Sequence, residues 1–237
     1  MSDDIIPNDI GDLPARSAAE VGAGLAGAAL EAVPIVGGPA AHLFELVLAP
    51  SLERRRDEWL RNLGEVVEEL RLRIDDFNPR DLENNEQFVS AVLAASTIAV
   101  KTHQVEKREM LRNALVNGLL PGAPDEHEQM LFLRFVDELT PLHVAVLAFM
   151  ADPRRWYVDR GMEQPQFMMG PLSRVLVPAF DDFAEETLAT VSQDLDQRRL
   201  ADAGAAWSAG MSNDGVWAPR IRPLGTQLLA FVSAPLS

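Results

Sequence analysis

The chain has 237 residues, enough to bury a core without staples, and no cysteine, which excludes disulfides and thiolate metal sites. Its formal charge of −15 opposes non-specific binding to nucleic acid and to anionic lipid, because both are polyanions.

Residues 1–16 are acidic and turn-rich, with Asp3, Asp4, Asp9 and Asp12 set among Pro7, Gly11 and Pro14. That composition predicts a disordered tail, and the lack of a basic stretch ahead of an apolar run predicts a cytoplasmic protein rather than a secreted one. Residues 18–49 are Gly/Ala-rich and apolar. Ser17 and Glu20 are spaced as a capping box, so a helix is expected to start there and to stop before Pro34. Pro39 then opens a second helix, making an apolar hairpin around Gly37 and Gly38. Gly22, Gly24 and Gly27 leave one face nearly bare, which suits close helix packing. A bilayer-spanning helix needs about 20 uninterrupted apolar residues, and Glu20, Glu31 and Glu45 break this run. The hairpin is therefore expected as a core element, with conditional membrane insertion as the alternative. Residues 22–27 match the letters of a dinucleotide fingerprint, but they fall inside a helix rather than at a strand-to-helix turn, and no cofactor is inferred.

From 51 to 77, Leu52, Trp59, Leu63, Val66, Leu70, Ile74 and Phe77 form one apolar stripe at helical spacing. Arg54, Arg55 and Arg56 lie among Glu53, Asp57 and Glu58, a pattern read as a solvated ion-pair face. A second helix is predicted over 85–118; at about 1.5 Å per residue it would reach roughly 50 Å unless it bends near Thr102. His103 falls on its apolar stripe and is expected to be buried beside Glu106 and Lys107.

Asp125 and Glu128 signal another capped helix, through Met130, Leu131, Phe135 and Val136, and a new unit is placed from 139 onward, where Thr140-Pro141 caps the next helix. Residues 152–171 are read as an irregular stretch containing Arg154, Arg155, Trp156, Tyr157, Phe167, Met168 and Met169. Those residue types are enriched at binding surfaces, and the stretch is the candidate contact for a protein partner or for self-association. A helix over 182–200 follows. Trp207 and Trp217 then sit in two short apolar stretches joined by a turn at 212–215, and a short helix over 224–232 closes the pattern.

Helix, loop, helix, hairpin and terminal helix, carried by residues 193–200 and 222–229, resemble a winged-helix domain. The acidic residues Asp181, Asp182, Glu185, Glu186, Asp194 and Asp196 favour a degenerate, protein-binding version over a DNA-binding one. The middle of the chain, with residues 84–86, 107–115 and 130–147, resembles the abortive-infection alpha proteins of bacteria. That resemblance implies a helical protein linked to protection against phage, and it brings no catalytic residues. No nucleophile elbow, phosphate-binding loop or His-Glu-x-x-His zinc motif is present, since His127-Glu128 lacks its second histidine. The expectation is thus a mainly α protein: a disordered tail over 1–16, a helical bundle over 17–138 that includes the hairpin, and a winged-helix-like module over 139–237 with a small β-hairpin. Its expected role is that of a non-enzymatic interaction or effector protein of bacterial anti-phage defence, without metal or cofactor. A transcriptional regulator and a membrane-permeabilising toxin are the alternatives.

Overall fold

The computed structural model describes Leu46, residues 48–75 and residues 77–235. The acidic tail, and Gly22, Gly24, Gly27, Gly37 and Gly38 of the expected hairpin, lie outside the described residues. What is described is mainly helical with one small two-stranded antiparallel sheet.

Helix α1 (Ala49–Arg73) buries Trp59, Val66 and Leu70, the centre of the expected stripe, while the Trp59 indole donates to Ser96 Oγ at 2.8 Å. Helix α2 (Glu86–Lys101) starts where the Asn85 side chain accepts from Phe88 N, and it buries the small face Ala91, Ala95 and Ala99. Small side chains there let α1 and α4 (Glu126–Glu138) approach it closely. Arg55, expected in a solvated face, instead reaches the end of α2 and donates to the Lys101 carbonyl at 3.2 Å. A guanidinium there satisfies a helix-end carbonyl and complements the negative end of the dipole.

The helix predicted over 85–118 is two helices. Thr102 is extended (φ −93°, ψ 143°), its hydroxyl accepts from Gln104 N at 3.1 Å, and α3 (Val105–Asn117) packs back onto α2. The threonine hydroxyl offers the chain a local alternative to the helical bond, which explains a break at this point. His103 falls in the break and is exposed, contrary to the expected burial. Two buried polar side chains of the bundle find partners: Lys107 Nζ donates to the Asp137 carbonyl at 2.8 Å, and Gln129 Nε2 donates to the carbonyls of Gly118 (3.0 Å) and Pro124 (2.9 Å).

Helix α5 (Pro141–Ala151) is buried along Val146, Leu147, Phe149 and Met150. The stretch read as irregular begins with a helix, α6 (Pro153–Asp159), because Asp152 caps it by accepting from Arg155 N at 2.9 Å and Pro153 fits the first turn. Strand β1 (Met169–Gly170), α7 (Ser173–Ala179) and α8 (Glu185–Gln197) follow. Helix α8 ends on Arg199 in the left-handed region (φ 59°), with Leu200 N bonded to Leu195 O and Arg199 N to Asp196 O, a Schellman arrangement.

The expected hairpin around 212–215 is replaced by a non-local pair. Strand β2 (Met211–Ser212) pairs antiparallel with β1, in the register Met169 with Ser212 and Gly170 with Met211. Ser212 is the N-cap of α9 (Asn213–Trp217), so its polar run starts a helix rather than a β-turn, and Trp217 is buried. An isolated antiparallel bridge joins Ala201 to Ile221, after which α10 (Pro223–Val232) packs on α3 and α5. Core residues from Trp59 to Val232 form one cluster, so the hydrophobic interior is continuous across the boundary drawn at 138/139.

Candidate interaction face

Two features stand out on the described surface, a set of aromatic rings carrying arginines and a polar junction centred on His143. The first grows from α6. Tyr157 is buried and donates its hydroxyl to the Val175 carbonyl at 2.7 Å, tying α6 to α7; burial pushes its pKa up to about 12. Trp156 packs between Phe149 (6.0 Å) and Phe180 (5.1 Å), with the Arg160 guanidinium 3.3 Å from the ring centre. These two candidates therefore serve the interior.

On the other side of Tyr157 stands Trp217, edge-on at 5.3 Å. Phe167 stacks on Trp217 at 6.3 Å with 16° between the planes. Arg154 lies 5.2 Å from the Trp217 ring, and Arg174 lies 6.0 Å from that of Phe167. Arginine over an aromatic face is attracted by the ring quadrupole, by about 0.5–1 kcal/mol where exposed. Asn213 fixes the neighbouring loop, as its Nδ2 donates to the Phe167 carbonyl at 2.9 Å and its N–H to the Met168 carbonyl at 3.1 Å. Met168 and Met169 are left 90% and 67% exposed.

The predicted contact residues thus divide. Trp156 and Tyr157 turn inward, Arg155 pairs with Asp159 along α6 at 3.3 Å, and Arg154, Phe167, Met168 and Met169 share one surface. Three members escaped the sequence reading: Arg174, Asn213 and Trp217. Arg174 lies just past the stretch, at the start of α7, whereas no local spacing links Asn213 and Trp217 to 152–171, since β1–β2 pairing brings them there. Their types, Arg, Asn and Trp, were the remaining signal.

The second feature joins three helices. His143 Nδ1 accepts from Thr140 N–H at 3.3 Å and lies 2.7 Å from Thr140 Oγ1, while Nε2 lies 3.3 Å from Asp194 Oδ2. An Nδ1 that accepts leaves the ring proton on Nε2, facing Asp194. Arg198 binds both Asp194 and Glu138, so the C-terminal ends of α4 and α8 are clamped to the start of α5. Burial holds the His143 pKa below its usual value, with Arg198 and Lys107 adding to the effect and Asp194 opposing it. The arrangement is a cap and an ion-pair clamp.

A cleft of about 500 Å³ between α1 and α3 is lined by both signs of charge. Its arginines are engaged: Arg108 meets Glu58 at 3.2 Å, and Arg112 meets Glu65 at 3.2 Å and Glu69 at 2.5 Å. Among the described residues no group of three or more His, Cys, Asp or Glu is placed to hold a metal ion. No helix among them is long and apolar enough to cross a membrane.

The chain matches no protein-family model, no curated protein and no solved structure.

Proposed function

We propose that this chain is a non-enzymatic interaction protein, an effector of bacterial anti-phage defence of the abortive-infection kind, which engages a protein partner through the face of Arg154, Phe167, Met168, Met169 and Arg174. The observation that carries the reading is that Met168 and Met169 are bared on a segment pinned at both ends of its register, by β2 and by Asn213. Apolar side chains held rigidly in water are poised for burial, and a pre-ordered segment loses little further entropy on binding. Methionine adds adaptability and arginine specificity. The defence assignment rests on the resemblance of 84–86, 107–115 and 130–147 to the abortive-infection alpha proteins.

The test is the double substitution Met168→Asp with Met169→Asp, expressed in a phage-challenged bacterial host. The expected outcome is a folded protein of unchanged melting temperature that no longer co-purifies with its partner after cross-linking and no longer lowers plaque counts. Undiminished protection and partner recovery would overturn the assignment of the face.

A second reading, a winged-helix-like regulator over 139–237, is favoured by one observation: β1, α7 and α8 are followed by the Ala201–Ile221 bridge, the order in which such a domain lays down its strands and helices. The exposed flank of α8 bears Glu185 and Glu186, which repel phosphate, so this module would also read protein rather than DNA. Salt-sensitive retention on duplex DNA would reverse that preference. The membrane-active alternative rests on residues outside those described.

A further inference from the structure

The stretch that carries Phe167 and Arg174 holds more arginines than carboxylates. Within 152–180, four arginines stand against Asp152, Asp159 and Glu163, in a protein of net charge −15. Arg174 lies over Phe167 with no carboxylate at salt-bridge distance among the described residues, and Arg154 Nη2 donates at 3.4 Å to both Asn213 Oδ1 and the highly exposed Asp214 carboxylate. An occupant of this face should therefore be acidic, for the guanidiniums, and aliphatic, for Met168 and Met169.

Residues 3–13 have that chemistry: Asp3, Asp4, Asp9 and Asp12 alternate with Ile5, Ile6, Ile10 and Leu13, with no lysine or arginine. We propose that this acidic segment of the chain itself occupies the face and that a protein partner must displace it. The proposal rests on the interaction-face reading above and adds its regulation. More than thirty residues separate the segment from α1. Being tethered, the segment competes at an effective concentration near the millimolar range, so even a weak dock holds off a dilute partner. Carboxylate–guanidinium contacts supply the attraction locally, within a screening length of about 8–10 Å, despite the overall negative charge.

The experiment uses the full chain with the photocross-linker p-benzoylphenylalanine in place of Ile6, a group that reacts readily with methionine. Irradiation is expected to give an intramolecular cross-link to the peptide carrying Met168 and Met169. That cross-link should be lost on combining Asp3→Asn, Asp4→Asn, Asp9→Asn and Asp12→Asn, on Arg174→Glu, and at about 1 M salt, where screening shortens to about 3 Å. The fourfold Asn variant should also bind the partner about tenfold more tightly, as expected when a competing state is removed. An absent cross-link, one to another region, or one between chains would overturn the proposal; the last would point to a second copy as occupant. If partner recovery still depends on Met168 and Met169 in any of those cases, the face stands and only its self-occupation falls.

Discussion

Exchanging glycine for alanine at two helical positions should have opposite effects. At Gly225, in the first turn of α10, an added Cβ would sit 2.3 Å from the Leu200 carbonyl oxygen, 3.1 Å from the Leu200 carbonyl carbon and 2.9 Å from Ile221 Cγ1. The obstacle is backbone, and it cannot easily retreat: Leu200 O accepts from Arg222 N at 2.9 Å, and Asp202 N donates to Arg220 O at 2.8 Å across the Ala201–Ile221 bridge. Reaching ordinary contact requires about 1 Å of movement between α10 and that segment, an overpacking for which about 1–3 kcal/mol is typical. The helix propensity of alanine returns at most about 1 kcal/mol. The net loss, about 1–2 kcal/mol, lowers the melting temperature by about 2–8 °C in a chain of this size. Gly64, by contrast, is exposed in the middle of α1 with nothing within 4 Å of an added Cβ, so Gly64→Ala should stabilise by about 0.5–1 kcal/mol. Thermal and urea unfolding of both variants, followed by circular dichroism, reads the pair. A neutral or stabilised Gly225→Ala protein would refute the close approach of α10 to Leu200.

Two further outcomes follow from the junctions. His143 has a folded pKa below its unfolded value of about 6.5, so between these two values the unfolded chain holds more protons and stability falls as the pH drops through that window. His143→Gln should flatten the slope in a urea-unfolding series from pH 7 to 5, and an unchanged slope would assign it to other groups. Tyr157→Phe leaves the buried Val175 carbonyl without its donor and should cost about 1–3 kcal/mol by the same assay, with far-UV signal retained.

The helices that carry a single stripe were legible in the sequence. Trp59, Val66 and Leu70 on α1, the Asp125 cap of α4 and the Thr140-Pro141 start of α5 are local signals, set by spacing and by one polar side chain, and a sequence displays both. The bend at Thr102 was legible from length. What escaped depends on partners far along the chain. Asp152-Pro153 is a helix start that the surrounding aromatic and arginine residues masked. The polar run 212–215 reads equally as a turn or as a cap, and only the pairing of Met211 with Gly170 decides for the cap. Half of the candidate face was visible as a cluster of binding-type residues. Arg174 joins it from the start of the next helix and Asn213 and Trp217 through tertiary packing, while Tyr157 and Trp156 leave it because their rings are needed inside.

The last helix is held in an unusual grip. Asn117 Nδ2, on α3, donates to the carbonyls of Phe231 (2.8 Å), Ser233 (2.9 Å) and Ala230 (3.1 Å), Asn113 Nδ2 donates to Val232 O at 3.1 Å, and Phe132 meets Phe231 ring to ring at 5.5 Å. During synthesis, then, α3 and α4 leave the ribosome long before the residues that cover them. Phe132 must wait, unsealed, while the ribosome adds about another hundred residues, which at about 5–20 per second takes several seconds to tens of seconds. A nascent chain that ends before Pro223 keeps that apolar surface bare, the kind of exposed surface that makes an incomplete chain prone to aggregation.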